Sequence, residues 1–330
     1  MHITRRKAMR SGAVIGGAGL AGCTGGGNGS GGGDDGELLK VANIEGATLA
    51  PFMVSEEQGL FEEHGVSVES QTFVNPSDMY KAVQIGEIEF AYATSPFPVA
   101  RAYNSGQDVS ILKPDMESNF FMTGRTEYGS VEDLQGEKVG NLPPGSSTHF
   151  GWSVAIEAMF GEAFMDFLDV VGMGPSSMAA SVQKGEIEAA TLWPPFTVKL
   201  MANDDFHIIE PLKDVYEEGT GHSPRFAVGA AQNSYLSEKR DAIRSFYDAI
   251  AEAAEMIAEN PDIMVDVGYV EIFGLESDQE VEILKQELSG MYPTDYDSEA
   301  FKSDLSFQYE KGVELEQIDE SPGDDIYEFI

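Results

Sequence analysis

The sequence predicts an α/β protein built as two lobes, and three observations lead there. From residue 38 onward, short apolar strands alternate with helical segments; the helix starts carry strong capping signals; and one helix–turn–strand unit occurs twice. Strands joined by short helical connections imply a mainly parallel sheet covered on both faces. With 330 residues, 42% of them apolar, the chain has material for two or three cores.

The elements follow in order. Residues 39–44 (LKVANI) read as a first strand, and residues 51–61 as a helix after Pro51 that stops at Gly65. Residues 66–69 alternate as a second strand. Asn75-Pro76-Ser77-Asp78 is a helix start, with a capping Asn, Pro at the first helical position and an acid in the first turn. The helix from Met79 ends at Gly86, and residues 88–93 form a third strand; residues 138–141 form another. From Glu238 the chain is helical with Ile243, Phe246, Ile250 and Ile257 on one face. Ser277 and Glu280 make a capping box for a later helix.

The repeat is the most informative feature. Residues 79–99 (MYKAVQIGEIEFAYATSPFPV) and 178–198 (MAASVQKGEIEAATLWPPFTV) align without a gap and share eleven of twenty-one positions. Chance similarity of two helix–turn–strand units is one explanation. The other is a pair of α/β lobes, each presenting the same strand-to-helix junction. Ligands of open α/β sheets bind outside the carboxyl ends of strands, where helix N-termini attract anions. The repeat puts Thr94-Ser95 and Trp193-Pro194 at that address, and Gly145-Ser146-Ser147-Thr148 follows another strand. Such a turn also caps ordinary helices, so alone it carries little.

Charge and termini narrow the function. The chain holds 57 Asp and Glu against 20 Lys and Arg, a formal net charge of −37. Nucleic-acid affinity comes mostly from basic groups on phosphates, so DNA and RNA are excluded as partners. Self-repulsion of this size destabilises a compact state in dilute buffer and is screened in molar salt, the composition expected of a halophilic protein. Arg5 and Arg6 lie in a basic segment before the short apolar run 13–21. This is the pattern of a twin-arginine export signal. Leu20-Ala21-Gly22-Cys23 resembles a lipobox, with Cys23, the sole cysteine, becoming the lipidated N-terminus. Residues 1–22 are then the signal and 23–37 a Gly/Ser-rich tether. No disulfide or Cys-based zinc site is possible. The five histidines show no HExxH spacing, and neither a GxSxG elbow nor a P-loop occurs. The expectation is therefore no metal, no cofactor and no catalytic centre.

Glu57-Gln58-Gly59-Leu60-Phe61-Glu62-Glu63-His64-Gly65-Val66 resembles a signature of solute-binding proteins of ABC transporters, in the nitrate/sulfonate/taurine and thiamine-pyrimidine-precursor (NMT1/THI5-like) group. The resemblance continues through residues 83–89 (VQIGEIE), 134–140 (LQGEKVG), 145–148 (GSST) and 192–196 (LWPPF), and covers roughly residues 38–250.

The resemblance implies a type II periplasmic-binding-protein fold, two lobes closing on a ligand cleft with a discontinuous first lobe. The crossings are expected after residues 120–123 and near Arg225, giving lobe 1 as 38–123 with 224–330 and lobe 2 as 124–223. Carried over position by position, the ligand contacts fall on Glu45, Gly46, Thr94, Ser95, Ser146, Ser147, Thr148 and Trp193. Ser95, Ser146, Ser147 and Thr148 would donate to an oxyanion, with Trp193 an apolar wall. Glu45 would either hold an amine or be one more solvated acid. Arg101, Arg125 and Arg225 would neutralise an anion or form surface salt bridges, and His149 is expected on a helix surface. The implied function is an extracytoplasmic, lipid-anchored, monomeric binding subunit that serves a permease and its ATPase. Its solute would be a sulfonate-, taurine- or nitrate-like anion. A thiamine-pyrimidine precursor is the alternative ligand. The alternative classes are an enzyme on the same fold and a ligand-sensing receptor subunit.

Overall fold

The computed structural model describes residues 37–330 except 289 and 294. Arg5, Arg6, Cys23 and the tether up to residue 36 lie outside the described residues. Among the described residues ten strands form two five-stranded sheets. The strands are β1 (Glu37–Ile44), β2 (Val66–Phe73), β3 (Phe90–Thr94), β4 (Val109–Met116), β5 (Phe121–Arg125), β6 (Lys138–Asn141), β7 (Asp169–Gly172), β8 (Ala189–Leu192), β9 (Phe206–Pro211) and β10 (Ala227–Gln232). The orders are β2-β1-β3-β10-β4 and β7-β6-β8-β5-β9.

The two orders are the same plan. In each sheet three strands run parallel, and the fourth is antiparallel to both of its neighbours. The sheets are thus mixed, where the sequence predicts mainly parallel ones. The antiparallel strands are β10 and β5, those by which the chain arrives from the opposite sheet. They need no helical crossover, which only parallel neighbours require. Because β5 already pairs with β8 and β9, the first crossing is residues 117–120, earlier than the predicted boundary at 123. The second is residues 221–226, just before β10. Helix Asp278–Leu288 packs on helix Phe196–Met201, which follows β8 of the second sheet, while its buried Leu284 and Leu288 share a core with Leu39, Val41 and Phe246 of the first lobe.

Local chemistry sets several helix ends. Asn75 accepts the Ser77 N–H at 3.0 Å and Pro76 opens helix Pro76–Gln84. Gly59, with φ of +79°, splits the predicted helix 51–61 into Leu49–Gln58 and Leu60–Glu63. The Ser277 hydroxyl accepts from the Glu280 N–H while the Glu280 carboxylate accepts from the Ser277 N–H. The sequence repeat is a repeat of structure. Helices Pro76–Gln84 and Pro175–Lys184 precede β3 and β8, the central strands of their sheets.

Helix Asn233–Glu259 covers the first sheet with the predicted apolar face. Phe246 is fully buried and packs against Phe61, Phe90 and Tyr92 at 5.4–5.5 Å between ring centres. Helix Ser147–Phe160, which follows β6, packs on helices Phe164–Phe167 and Leu212–Thr220 with Phe150, Trp152 and Ile156 buried.

Candidate ligand site

Two helix starts, one from each sheet, meet here. β3 ends at Thr94, Ser95 takes an extended conformation, and Pro96 begins helix Pro96–Asn104. In the other sheet β6 leads to Gly145, whose φ of +93° makes the turn, and then to Ser146, which caps helix Ser147–Phe160. The Ser146 hydroxyl accepts the His149 N–H at 3.2 Å. The Ser95 and Ser147 hydroxyls share a hydrogen bond of 2.9 Å, and the rings of Phe97 and Phe150, two and three residues further along, lie 4.6 Å apart. Each helix start leaves backbone N–H groups without intrahelical partners, at the positive end of its dipole.

The other expected contacts are placed as follows. Thr94 is fully buried and its hydroxyl has no hydrogen-bond partner. Thr148 is buried, with its hydroxyl 3.3 Å from that of Ser146. Trp193 stands at the position equivalent to Thr94 in the repeat, half-buried, edge-on to Phe120 and Phe196 at 5.5 Å each. Phe120 belongs to the first crossing, so this aromatic group sits where the chain passes between sheets. Glu45 and Gly46 form the loop after β1. The Gly46 carbonyl accepts from the Tyr269 hydroxyl at 3.0 Å and the next carbonyl, of Ala47, from Tyr292 at 2.7 Å. The Glu45 side chain makes no hydrogen bond or ion pair among the described residues, and no bond joins this loop to the serines.

The three arginines are engaged elsewhere. Arg101 donates to the Gln317 carbonyl at 2.6 and 3.0 Å. Arg125 pairs with Glu188 at 3.4 Å. Arg225 bridges Glu117 at 3.0 Å and Asp304 at 2.9 Å. The junction therefore offers neutral hydroxyls and helix ends to a ligand. His149 is buried, contrary to the surface position expected; its ring lies edge-on to Phe164, and burial pushes its pKa down, keeping the imidazole neutral.

Sequence reasoning missed Asn43, Asn119, Asn141 and Thr191. All four are buried, and each has at least one side-chain polar atom without a partner. Both amide ends are unpaired in Asn43 and in Asn119, which lies in the first crossing. Such groups are costly to leave unmade. Asn43 ends Lys40-Val41-Ala42-Asn43 on β1 and Asn141 ends Lys138-Val139-Gly140-Asn141 on β6, strands that hold equivalent places in the two sheets. That second, shorter repeat was the available signal.

Among the described residues there is no group of three or more His, Cys, Asp or Glu placed to hold a metal, and no helix is long and apolar enough to cross a membrane.

Known proteins share this architecture. The alkanesulfonate-binding protein of Xanthomonas axonopodis pv. citri, solved with MOPS bound, superposes with a TM-score of 0.70 at 12% identity, over 90% of this chain and 99% of that one. The periplasmic nitrate-binding protein of Synechocystis gives 0.62 at 16% identity, over 86% and 83%. These neighbours are binding proteins, not enzymes, and the shared architecture is the two-lobed periplasmic-binding-protein fold. In sequence, the taurine-binding periplasmic protein of Escherichia coli is 21% identical over 229 residues, 69% of each chain. The model of the family described as NMT1/THI5 like matches residues 47–263, more than half of the sequence, and the chain belongs to that family.

Proposed function

We propose that this protein is the extracytoplasmic solute-binding subunit of an ABC importer, and that its solute is a small organic anion of the sulfonate or taurine kind. The junction of Ser95 with Ser147 carries the reading. Two helix N-termini and their hydroxyls converge there from opposite lobes, an arrangement that takes an oxyanion without a cationic side chain. Trp193 favours an organic sulfonate over nitrate, because a half-buried indole offers an apolar surface that nitrate has no carbon to use. Thr94, Ser146 and Thr148 would supply further donors, and the loop at Glu45 and Gly46 would close over the other end. Affinity comes from closure of the lobes, which dries the ligand's hydrogen bonds. A thiamine-pyrimidine precursor is the second reading, favoured by the unpaired Glu45 carboxylate, which would accept from an exocyclic amine.

In this reading a twin-arginine signal with Arg5 and Arg6 exports the protein, and lipidated Cys23 holds a monomer on the outer face of the membrane beside its permease and ATPase. The Cys23→Ser variant is then released from membranes, and persistent anchoring refutes the lipid anchor. The ligand test is titration calorimetry in multimolar KCl with taurine, alkanesulfonates, nitrate, sulfate and hydroxymethyl-aminopyrimidine. Binding of taurine or an alkanesulfonate that is lost in Trp193→Ala supports the first reading. Binding of the pyrimidine alone supports the second. Chemical change of the bound compound, read by mass spectrometry, overturns both in favour of an enzyme.

A further inference from the structure

We infer that Asp115 is a positioning residue for the ligand site, reaching from β4 over β10 to hold the backbone of Ala93 and, through it, Thr94 and Ser95. The inference rests on the reading of Thr94 and Ser95 as ligand contacts.

Ala93 has φ of +62°, one of two non-glycine residues in left-handed conformation among those described. For an L-residue with a side chain this costs roughly 1–2 kcal/mol, and it persists only where surroundings enforce it. The equivalent residue of the repeat, Leu192, lacks this conformation, so the strain belongs to the first lobe alone. The ladder between β3 and β10 shifts register between Val228 and Ala230, opposite this point. The Ala93 N–H donates instead to Asp115 Oδ2, at 2.6 Å.

That bond spans two strands of the sheet, since β10 lies between β3 and β4. It is possible because β10 carries Gly229 there. A Cβ on Gly229 would stand 1.9 Å from the Tyr247 hydroxyl and 3.3 Å from Asp115 Oδ1. Asp115 is 5% exposed. With Tyr92, Lys113 and Tyr247 it lines a cavity of about 10 Å³, room for at most one water. The Lys113 ammonium lies 4.7 Å from the centre of the Tyr247 ring. Burying a carboxylate is expensive, and here its short bond falls on the strained residue next to Thr94 and Ser95.

A rescue experiment separates positioning from simple core packing. Asp115→Leu removes the acceptor, Asp115→Asn keeps one, and Ala93→Gly removes the left-handed penalty. With taurine as probe, Asp115→Leu is expected to weaken binding roughly tenfold. Asp115→Asn should stay near wild type, and Ala93→Gly added to Asp115→Leu should restore most of the loss. Unchanged binding in Asp115→Leu, or a loss that Ala93→Gly does not relieve, overturns the inference. If wild-type protein binds no taurine, the functional reading fails on its own and the Ala93 amide decides. Its proton should resonate downfield and follow the ionisation of Asp115 in the unmodified protein. An Ala93 amide indifferent to pH overturns the inference even if Asp115→Leu does not fold.

Discussion

The hydroxyls of Ser95 and Ser147 lie 2.9 Å apart, one directly after the third strand of the first sheet and the other in the first turn of a helix on the second. The pair ties the two lobes together at the place where both helix dipoles point. Ser147→Ala removes this bond and leaves the Ser146 cap on its own helix intact. A single hydrogen bond of this kind contributes about 1 kcal/mol. The variant is expected to bind its solute roughly fivefold more weakly, with the melting temperature lowered by no more than about 4 °C. Calorimetry and a melt on the same sample check both.

Arg225 is expected to matter for stability and not for ligand charge. Its guanidinium joins Glu117 of the first crossing to Asp304 of helix Ser298–Glu314, while Gln308 bonds both its backbone N–H and its carbonyl. Arg225→Ala leaves Asp304, 8% exposed, with only the His222 ring at 3.3 Å and the Ser223 N–H as partners, a loss on the order of 3 kcal/mol. Arg225→Lys should recover only part, since an ammonium lacks the fork that spans two carboxylates. Urea denaturation measures both.

Two acids, the buried Asp115 and the half-buried Glu287, give stability a pH slope. Burial pushes Asp115 up to about 7, against the opposing bond from Ala93 and the nearby Lys113 charge. Burial likewise pushes Glu287 up to about 7, against its bond from the Thr197 hydroxyl. In the unfolded chain both ionise near their ordinary values, about 4. Between about pH 4.5 and 7 the folded state thus holds protons that the unfolded state has released, so these groups make stability fall as pH rises and become level above 7. The urea midpoint followed from pH 5 to 8 should show this decline, and Asp115→Asn with Glu287→Gln should flatten it.

A formal charge of −37 predicts a stability that depends on salt. The melting temperature should rise from dilute buffer to multimolar KCl as repulsion between carboxylates is screened. Circular dichroism melts at both concentrations measure it, and equal stability refutes the halophilic reading.

Features set by neighbouring residues were legible in the sequence. Asn75-Pro76, the Ser277–Glu280 box and the apolar face of Ile243, Phe246, Ile250 and Ile257 are local chemistry, and each holds in the structure. The mixed sheets were not, because β10 pairs Val228 with Thr94 and with Pro114, partners more than a hundred residues away that no window of sequence contains. At the candidate site the same division applies. Ser95 and Ser146 were visible as hydroxyls before helices, whereas Asn43 and Asn141 read singly as strand ends. Only the pairing of Lys-Val-Ala-Asn with Lys-Val-Gly-Asn marks them, and only folding reveals that Arg225 is already engaged.

The placement of β10 between β3 and β4 also orders events during synthesis. All five strands of the second sheet are contained in residues 121–211, so that sheet can be completed as soon as β9 leaves the ribosome. The first sheet cannot, although four of its strands emerge earlier, because its halves share no ladder until residues 227–232 arrive. Through that interval β3 and β4 present open edges, the state in which nascent chains are most prone to pair wrongly. The lobe that begins first is therefore finished last.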